Sequence, residues 1–303
     1  VNFKNNKIYN RATFLNPKNP QYIHDLECFL GGAFISDTIN GDLTTESLPN
    51  KNDFFSCQIQ AKEKGIFCGG PPIKWFLHKY CPDLKLSIFF KEGNSFQKGN
   101  TLLSLKGKAK TILKIERTLL NLLQRLCGIA TLTHTYQQAA FPMPIAATRK
   151  TLYGLLDKYA VTIGGGLTHR LNLGDAPLFK DNHLKISHNS WAVIANAIYK
   201  MPHSIPFATI EISPKHNPIV LLSQFRKPLP FPIIILFDNF TPLQLKKTIQ
   251  NIPKPAHIHF EASGGITLTN IKKYCISPLD ILSIGALTHS ANSLDLSLNL
   301  TTP

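Results

Sequence analysis

Apolar residues change their period along the chain, and the changes mark its organisation. From Thr111 to about Ala140, the residues Ile112, Ile115, Leu119, Leu122, Leu123 and Leu126 recur three and four apart. No proline intervenes before Pro142, so the pattern predicts one long helix. Gly128 inside it either divides the helix or lets another segment pack closely. Ahead of this helix, residues 54–61 (FFSCQIQA) partly alternate and read as a strand. Residues 84–90 and 101–106 carry further strand signals, separated by Gly93 and Gly99. Tyr22 to Ile35 is apolar enough for a helix, closed by a turn at Asn40-Gly41-Asp42. Together these predict an α+β region, preceded by a polar, irregular extension over residues 1–21 rich in Asn, Lys and Pro.

Beyond the long helix the pattern becomes repetitive. Apolar segments end at Asp181, Glu211, Asp238, Glu261 and Gly285, at intervals of 30, 27, 23 and 24 residues. Each interval suits one strand, one helix and two loops. The segments, such as 205–212 and 233–237, are apolar at both parities, as parallel strands covered on both faces must be. Polar residues at each strand's C-terminal end fit a β/α barrel, whose working rim lies there. An open doubly wound sheet fits the same pattern, although no G-x-G-x-x-G follows a first strand to support its dinucleotide-binding form.

Composition narrows the class. With 303 residues, 43% hydrophobic and 17% charged, the chain suits two folded domains better than one and is not disordered. No run approaches the ~20 apolar residues of a membrane span, and no apolar stretch with a cleavage site follows the basic start. Six Cys without CxxC spacing suggest neither a zinc site nor a disulfide scaffold, so a cytoplasmic setting is expected. The formal charge of +15 admits nucleic acid, an anionic membrane surface, polyanionic small molecules or simply a solvated surface. Scattered basic residues without a recognised binding motif argue against specific nucleic-acid recognition.

The densest chemistry lies between 148 and 183: Arg149-Lys150, Gly164-Gly165-Gly166, His169-Arg170 and Lys180-Asp181-Asn182-His183. Arginine grips carboxylate or phosphate with two parallel bonds, and lysine adds a point charge. Glu211 and Asp238 each end an expected strand, so a barrel places both carboxylates on one rim, suited to sugar hydroxyls or a phosphate-bridged divalent ion. Ser263-Gly264-Gly265 and Gly285-Ala286-Leu287 follow the next two strands, where backbone N–H groups cradle phosphate. Each feature alone is commonplace, and their order along successive strand ends is not.

That ordered set resembles the quinolinate phosphoribosyltransferase family. The matching pieces begin with Gly41-Asp42-Leu43-Thr44-Thr45, Glu116-Arg117, Leu120 to Gln124 and Gly128-Ile129-Ala130-Thr131. Next come Thr148-Arg149-Lys150-Thr151, Gly164 to Gly166 with His169-Arg170, and Lys180 to His183. Asp238-Asn239-Phe240, Ser263-Gly264-Gly265 and Gly285 to Ser290 complete it, so the likeness extends from about residue 22 to 296.

The resemblance implies an α/β fold in which an N-terminal α/β sandwich domain (22–128) precedes an incomplete seven-stranded β/α barrel (129–290). A segment at 291–303 returns toward the sandwich. It implies transfer of 5-phosphoribosyl from 5-phosphoribosyl 1-pyrophosphate to quinolinate with decarboxylation, giving nicotinate mononucleotide, CO2 and pyrophosphate. By the same resemblance Arg149, His169, Arg170 and Lys180 bind quinolinate, with Arg117 reaching in from the partner of a homodimer. Lys150, Glu211 and Asp238 are catalytic, the two acids standing near Mg2+ directly or through substrate or water. Ser263, Gly264, Gly265, Gly285 and His289 surround the 5-phosphate. Three departures stand out. Ala147 replaces an acid, Leu152–Lys158 is two residues shorter and lacks an arginine, and Ser36 and Ile39 replace an acid and a glycine. The first bears on the positioning of Arg149, the second on loop geometry. A nicotinate phosphoribosyltransferase without decarboxylation is the nearest alternative, and a Schiff-base lyase using Lys180 a more distant one.

Overall fold

The computed structural model describes residues 8–301; the first seven residues of the expected extension and the last two of the C-terminal segment lie outside the described residues. The chain divides into two compact units. One comprises the described part of Val1–Arg11 with Tyr136–Lys150 and Gly166–Ala286, and the other comprises Ala12–Thr135, Thr151–Gly165 and the described part of Leu287–Pro303.

The strands among the described residues are β1 (Phe54–Ala61), β2 (Gly65–Ile66), β3 (Lys85–Ile88), β4 (Ser95–Phe96), β5 (Thr101–Lys108) and β6 (Ile145–Ala146). They continue with β7 (Leu178–Phe179), β8 (Ala208–Ile212), β9 (Ile233–Asp238), β10 (Ile258–Ser263), β11 (Ile281–Ser283) and β12 (Leu296–Thr301).

In the second unit β12, β1, β5 and β3 form an antiparallel sheet in that order, and β2 pairs with β4. The partial alternation in β1 is explained by Cys57, Ile59 and Ala61, which turn one face into the core. The predicted long helix is present as Ala109–Ala140, and its periodic Ile and Leu residues are fully buried. The helix runs unbroken through Gly128. A Cβ there would overlap the Asn292 carbonyl and lie 3.1 Å from its carbon, so the glycine serves close approach, the second of its two readings. Tyr22–Ile35 is not one regular helix. Helices Pro20–Leu26 and Gly32–Thr38 flank a π-helical turn at Glu27–Gly31, an insertion often found where a helix shapes a binding surface.

In the first unit six strands lie parallel in the order β6, β11, β10, β9, β8, β7. A seventh position is supplied by Leu167, which forms a single parallel bridge to Ala146 on the open side of β6. Among the described residues no ladder joins this segment to β7, so the barrel stays incomplete. The α/β architecture expected from sequence is therefore present, with one strand reduced to a bridge. Three strand-end markers differ: Glu261 lies inside β10, Gly285 lies two residues past β11, and Asp181 lies two past β7. Asp181 opens the helix Asp181–Ile186, because the short β7 has already ended at Phe179.

Register fixes which residues share a face. Glu211, Leu236, Glu261 and Ile281 lie in one row, and Thr209, Ile234 and His259 in the row beneath. Two-residue alternation then gives Asp238 and Ser263 the same face as Ile234 and His259. At the strand starts this face is packed by Ala146, Leu167, Ala176, Phe207, Ile234 and Ile281 around Tyr9. The polar strand ends thus stand above a buried, largely apolar floor. No described helix is long and apolar enough to cross a membrane.

Candidate active site

The C-terminal ends of β7, β8 and β9 carry the core of the site. Lys180 directly follows β7 and is half exposed; its Nζ lies 3.1 Å from Glu211 Oε2, which is 16% exposed on β8. Lys180 is also the N-cap of Asp181–Ile186, its backbone N–H donating to His183 Nδ1 at 3.0 Å. His183 therefore anchors the loop that presents the lysine. Asp238 ends β9, and its Oδ2 accepts from Asn239 Nδ2 at 2.7 Å.

Burial raises the Glu211 carboxyl above its ordinary range, and the negative charges of Asp238 and Asp181 add to that; Lys180 holds it back down. Burial raises Asp238 as well, against the lowering influence of Lys180 and Lys150. Arg149 and Lys150 are exposed on the segment after β6. Arg170 is 7% exposed, and its Nη1 donates to the Ala176 carbonyl at 3.0 Å. Burial and the neighbouring Arg149 charge lower its proton affinity, whereas Asp175 and Glu211 raise it. These mutual effects show that Arg149, Lys150, Arg170, Lys180, Glu211 and Asp238 share one electrostatic environment.

His169 lies beneath the rim. It is only 4% exposed and adopts φ 51°, in the left-handed region. Its Nδ1 accepts the Arg170 N–H at 2.7 Å, which leaves Nε2 to carry the proton facing Glu261 Oε2 at 2.9 Å. Both ring nitrogens thus have partners within the chain, and His169 holds the Arg170 backbone. Sequence reasoning marked Glu261 only as a strand-end acid. A buried carboxylate on the inward face, one turn of the alternation below Ser263, was the available signal for a partner.

The glycine turn after β10 is tightly built. Gly264 has φ 89°, and a Cβ there would collide with the Asn239 side chain. The Asn239 N–H donates to the Ser263 carbonyl at 2.9 Å, joining the loops after β9 and β10. Asn270 Nδ2 donates to the Gly265 carbonyl at 2.8 Å. Gly285 follows β11, two residues past Ser283, the register partner of Ser263. A phosphate cradle needs backbone amides close to the ligand, and a glycine turn of this kind supplies them.

Arg117 and His289 belong to the other compact unit. His289 Nδ1 lies 2.7 Å from Ser290 Oγ. Arg117 lines a half-open cavity of about 360 Å³ with Phe29, Leu30, Ala33, Ser36, Asp37, Thr118, Asn121, Leu122 and Tyr153. Ser36, one of the noted departures, is thus a lining residue, whereas Ile39 is exposed. The shortened 152–158 segment is firmly held. Asp157 Oδ2 accepts from the Leu152 and Tyr153 amides at 2.8 and 3.2 Å, and its carboxylate makes a two-pronged pair with Arg125 at 2.8 and 2.6 Å. Arg125 also covers the Tyr153 ring at 5.0 Å. Gly154, at φ 54°, packs directly on Asp25, whose Oδ2 accepts from the Leu155 N–H at 2.7 Å. Ala147 is buried, its N–H donating to the Leu167 carbonyl at 2.8 Å.

A parallel β/α sheet with cations, two acids and glycine turns at its strand ends defines a barrel enzyme for anionic, phosphate-bearing substrates. The family models for the N-terminal and C-terminal domains of quinolinate phosphoribosyl transferase match residues 42–127 and 129–299. The chain is 38% identical over 276 residues to the probable nicotinate-nucleotide pyrophosphorylase [carboxylating] of Methanocaldococcus jannaschii, covering 86% of this chain and 92% of that protein. It is 35% identical over 285 residues to the protein of the same description from Bacillus subtilis, covering 91% and 93%. The crystal structure of NadC from Streptococcus pyogenes superposes with a TM-score of 0.80 at 29% identity, covering 92% of this chain and 99% of that one. The chain belongs to the quinolinate phosphoribosyltransferase family.

The electrostatics of the rim make a direct prediction. Burial raises Glu211 and Asp238, and Lys180 lowers both, so Lys180→Ala moves both titration midpoints to higher pH, with protonation setting in earlier as pH falls. Infrared titration of the carboxylate bands, assigned with Glu211→Gln and Asp238→Asn, measures the midpoints. Midpoints that stay in place or fall would contradict the coupling.

Proposed function

We infer that the protein transfers a 5-phosphoribosyl group from 5-phosphoribosyl 1-pyrophosphate to the nitrogen of quinolinate and releases CO2, forming nicotinate mononucleotide and pyrophosphate for NAD biosynthesis. The observation that carries this reading is the convergence of Arg149, Lys150, Arg170 and Lys180 around Glu211 and Asp238 at the ends of parallel strands, with Asp175 and Asp181 also within electrostatic reach. Two ligands that are both anionic require cations converging in this way.

The roles follow from the chemistry. Arg149, Arg170 and Lys180 pair with the quinolinate carboxylates, and Lys150 offsets charge on the departing pyrophosphate. The ribosyl carbon becomes cationic as that bond lengthens, and Glu211 and Asp238 stabilise the positive sugar and orient its hydroxyls. Ser263 to Gly265 with Gly285 offer backbone donors to the 5-phosphate. The pyridine nitrogen attacks directly, so no protein nucleophile is used. Once the nitrogen is ribosylated, its positive charge stabilises the carbanion left when the adjacent carboxylate departs as CO2, and that carbon then takes a proton from water to give nicotinate mononucleotide.

The two rim carboxylates also suit Mg2+. Among the described residues no cluster of three or more His, Cys, Asp or Glu forms a protein cage. Mg2+ characteristically takes one or two carboxylates and fills its remaining positions with water and substrate phosphates. Glu211 and Asp238 would hold it, directly or through substrate or water, where it would neutralise pyrophosphate charge. Six free cysteines agree with work in a reducing cytoplasm.

Phosphoribosyl transfer to nicotinate is the nearest competing activity, and a monocarboxylate would leave part of the cationic set unused. Carboxyl-labelled quinolinate separates the two. The expected outcome is labelled CO2 released only when 5-phosphoribosyl 1-pyrophosphate is present; turnover of nicotinate with no such release would reverse the assignment.

The same reading makes the protein a homodimer in which Arg117 completes the partner's pocket. Its exposure beside the cavity described above leaves it available for such a role. Arg117→Ala and Lys180→Ala chains, each inactive alone, should regain activity on mixing, because one pocket of the mixed dimer is intact. Demonstrated subunit exchange without regained activity would place Arg117 outside the shared site.

A further inference from the structure

The short stretch Tyr9–Arg11 has no part in the reading above, yet it is built into the barrel unit. The Tyr9 side chain is fully buried at the strand starts, its ring 6.1 Å from that of His169 and 6.3 Å from that of Phe207. The Tyr9 carbonyl accepts from the His169 N–H at 2.9 Å and from the Thr168 hydroxyl at 3.1 Å. The Arg11 N–H donates to that same hydroxyl oxygen at 2.7 Å. The Arg11 guanidinium then reaches Asp175 Oδ1 at 2.9 Å, while Asp175 Oδ2 accepts the Leu171 N–H at 2.8 Å. The Tyr9–Arg11 segment therefore grips both ends of 168–175, and Arg170 stands between the grips.

Two physical facts give the grip a consequence. His169 has a left-handed backbone, which persists in a residue with a side chain only where its surroundings over-determine it. Tyr9 and Thr168 supply that determination from one side and the Glu261 contact from the other. Asp175 also acts electrostatically on the buried Arg170. Held by Arg11 at one oxygen and by the Leu171 amide at the other, Asp175 ties down the turn on which Arg170 stands.

We propose that Tyr9–Arg11 is a positioning clamp for quinolinate recognition, in which Arg11 occupies Asp175 and fixes the turn that aims Arg170. The inference rests on the assignment of Arg170 to quinolinate. Arg11 touches no reacting atom, so its effect falls on affinity for one ligand and not on the chemical step.

The test measures KM for each substrate separately, with kcat and the thermal unfolding midpoint alongside. Arg11→Ala should raise KM for quinolinate about tenfold, the scale of one charge-assisted hydrogen bond. KM for 5-phosphoribosyl 1-pyrophosphate and kcat should stay within about twofold, well under the 1.4 kcal/mol of a tenfold change. Arg11→Lys, which keeps a cation near Asp175, should recover much of the loss. Asp175→Ala should match Arg11→Ala, and the double variant should be no worse than either, as members of one interaction behave. If Arg11→Ala does not accumulate as folded protein, the milder Arg11→Gln carries the same measurement. Equal rises in both KM values, an unchanged KM for quinolinate, or additive losses in the double variant would each overturn the clamp. Arg170→Ala separates the two levels. Loss of quinolinate affinity there without loss in Arg11→Ala rejects the clamp alone, whereas retained affinity in Arg170→Ala removes the assignment beneath it.

Discussion

Four cations gathered at one rim repel one another, and the acids standing among them, Glu211 and Asp238 with Asp175 and Asp181 nearby, offset that repulsion. Lys180 pairs with Glu211 at 3.1 Å, and Lys150 and Lys180 both act on Asp238. Partial burial strengthens each of these interactions, because charges out of bulk water are less screened. Burial also costs the carboxylates, whose proton affinity rises against the pull of the lysines. The rim is therefore held near balance, with Arg149 and Lys150 exposed to meet anionic substrates.

Everything beneath the rim serves to place those charges. Parallel strands point all their C-terminal ends the same way, so residues far apart in sequence arrive together. The two-residue alternation sends Glu211, Asp238 and Ser263 to the face whose lower part is packed by Phe207, Ile234 and Ile281. Between floor and rim sits the His169–Glu261 pair, both residues almost wholly buried. A buried polar pair is costly unless its bonds are well made, and this one orients the backbone that carries Arg170. The antiparallel unit has its own constraint: Gly128 lets the chain at Asn292 approach the long helix before β12 joins β1.

Much of this was legible in the sequence, for physical reasons. The long helix declared itself through apolar residues at three and four apart, and buried parallel strands through apolar runs at both parities. Spacing alone put Glu211 and Asp238 at strand ends. What escaped depended on contacts between residues distant in sequence. No local pattern shows that Tyr9, in a polar extension, fills a barrel floor, or that Arg11 meets Asp175 across 164 positions. Nor does any local pattern reveal that Glu261 and the Arg170 amide meet the two ring nitrogens of His169. The π-turn at Glu27–Gly31 was likewise invisible, since its residues are ordinary helix formers apart from Gly31. The β7 strand was drawn too long because the helix after it begins at Asp181 with Lys180 as its cap.

The central claim is a division of one rim between two anionic ligands. A crystal structure of the protein with quinolinate and an unreactive analogue of 5-phosphoribosyl 1-pyrophosphate tests it most directly. The account predicts quinolinate carboxylates against Arg149, Arg170 and Lys180, the ribose hydroxyls facing Glu211 and Asp238, and the 5-phosphate at the Ser263–Gly265 turn. Quinolinate bound at the glycine turn, or a donor phosphate bound at Arg170, would contradict it.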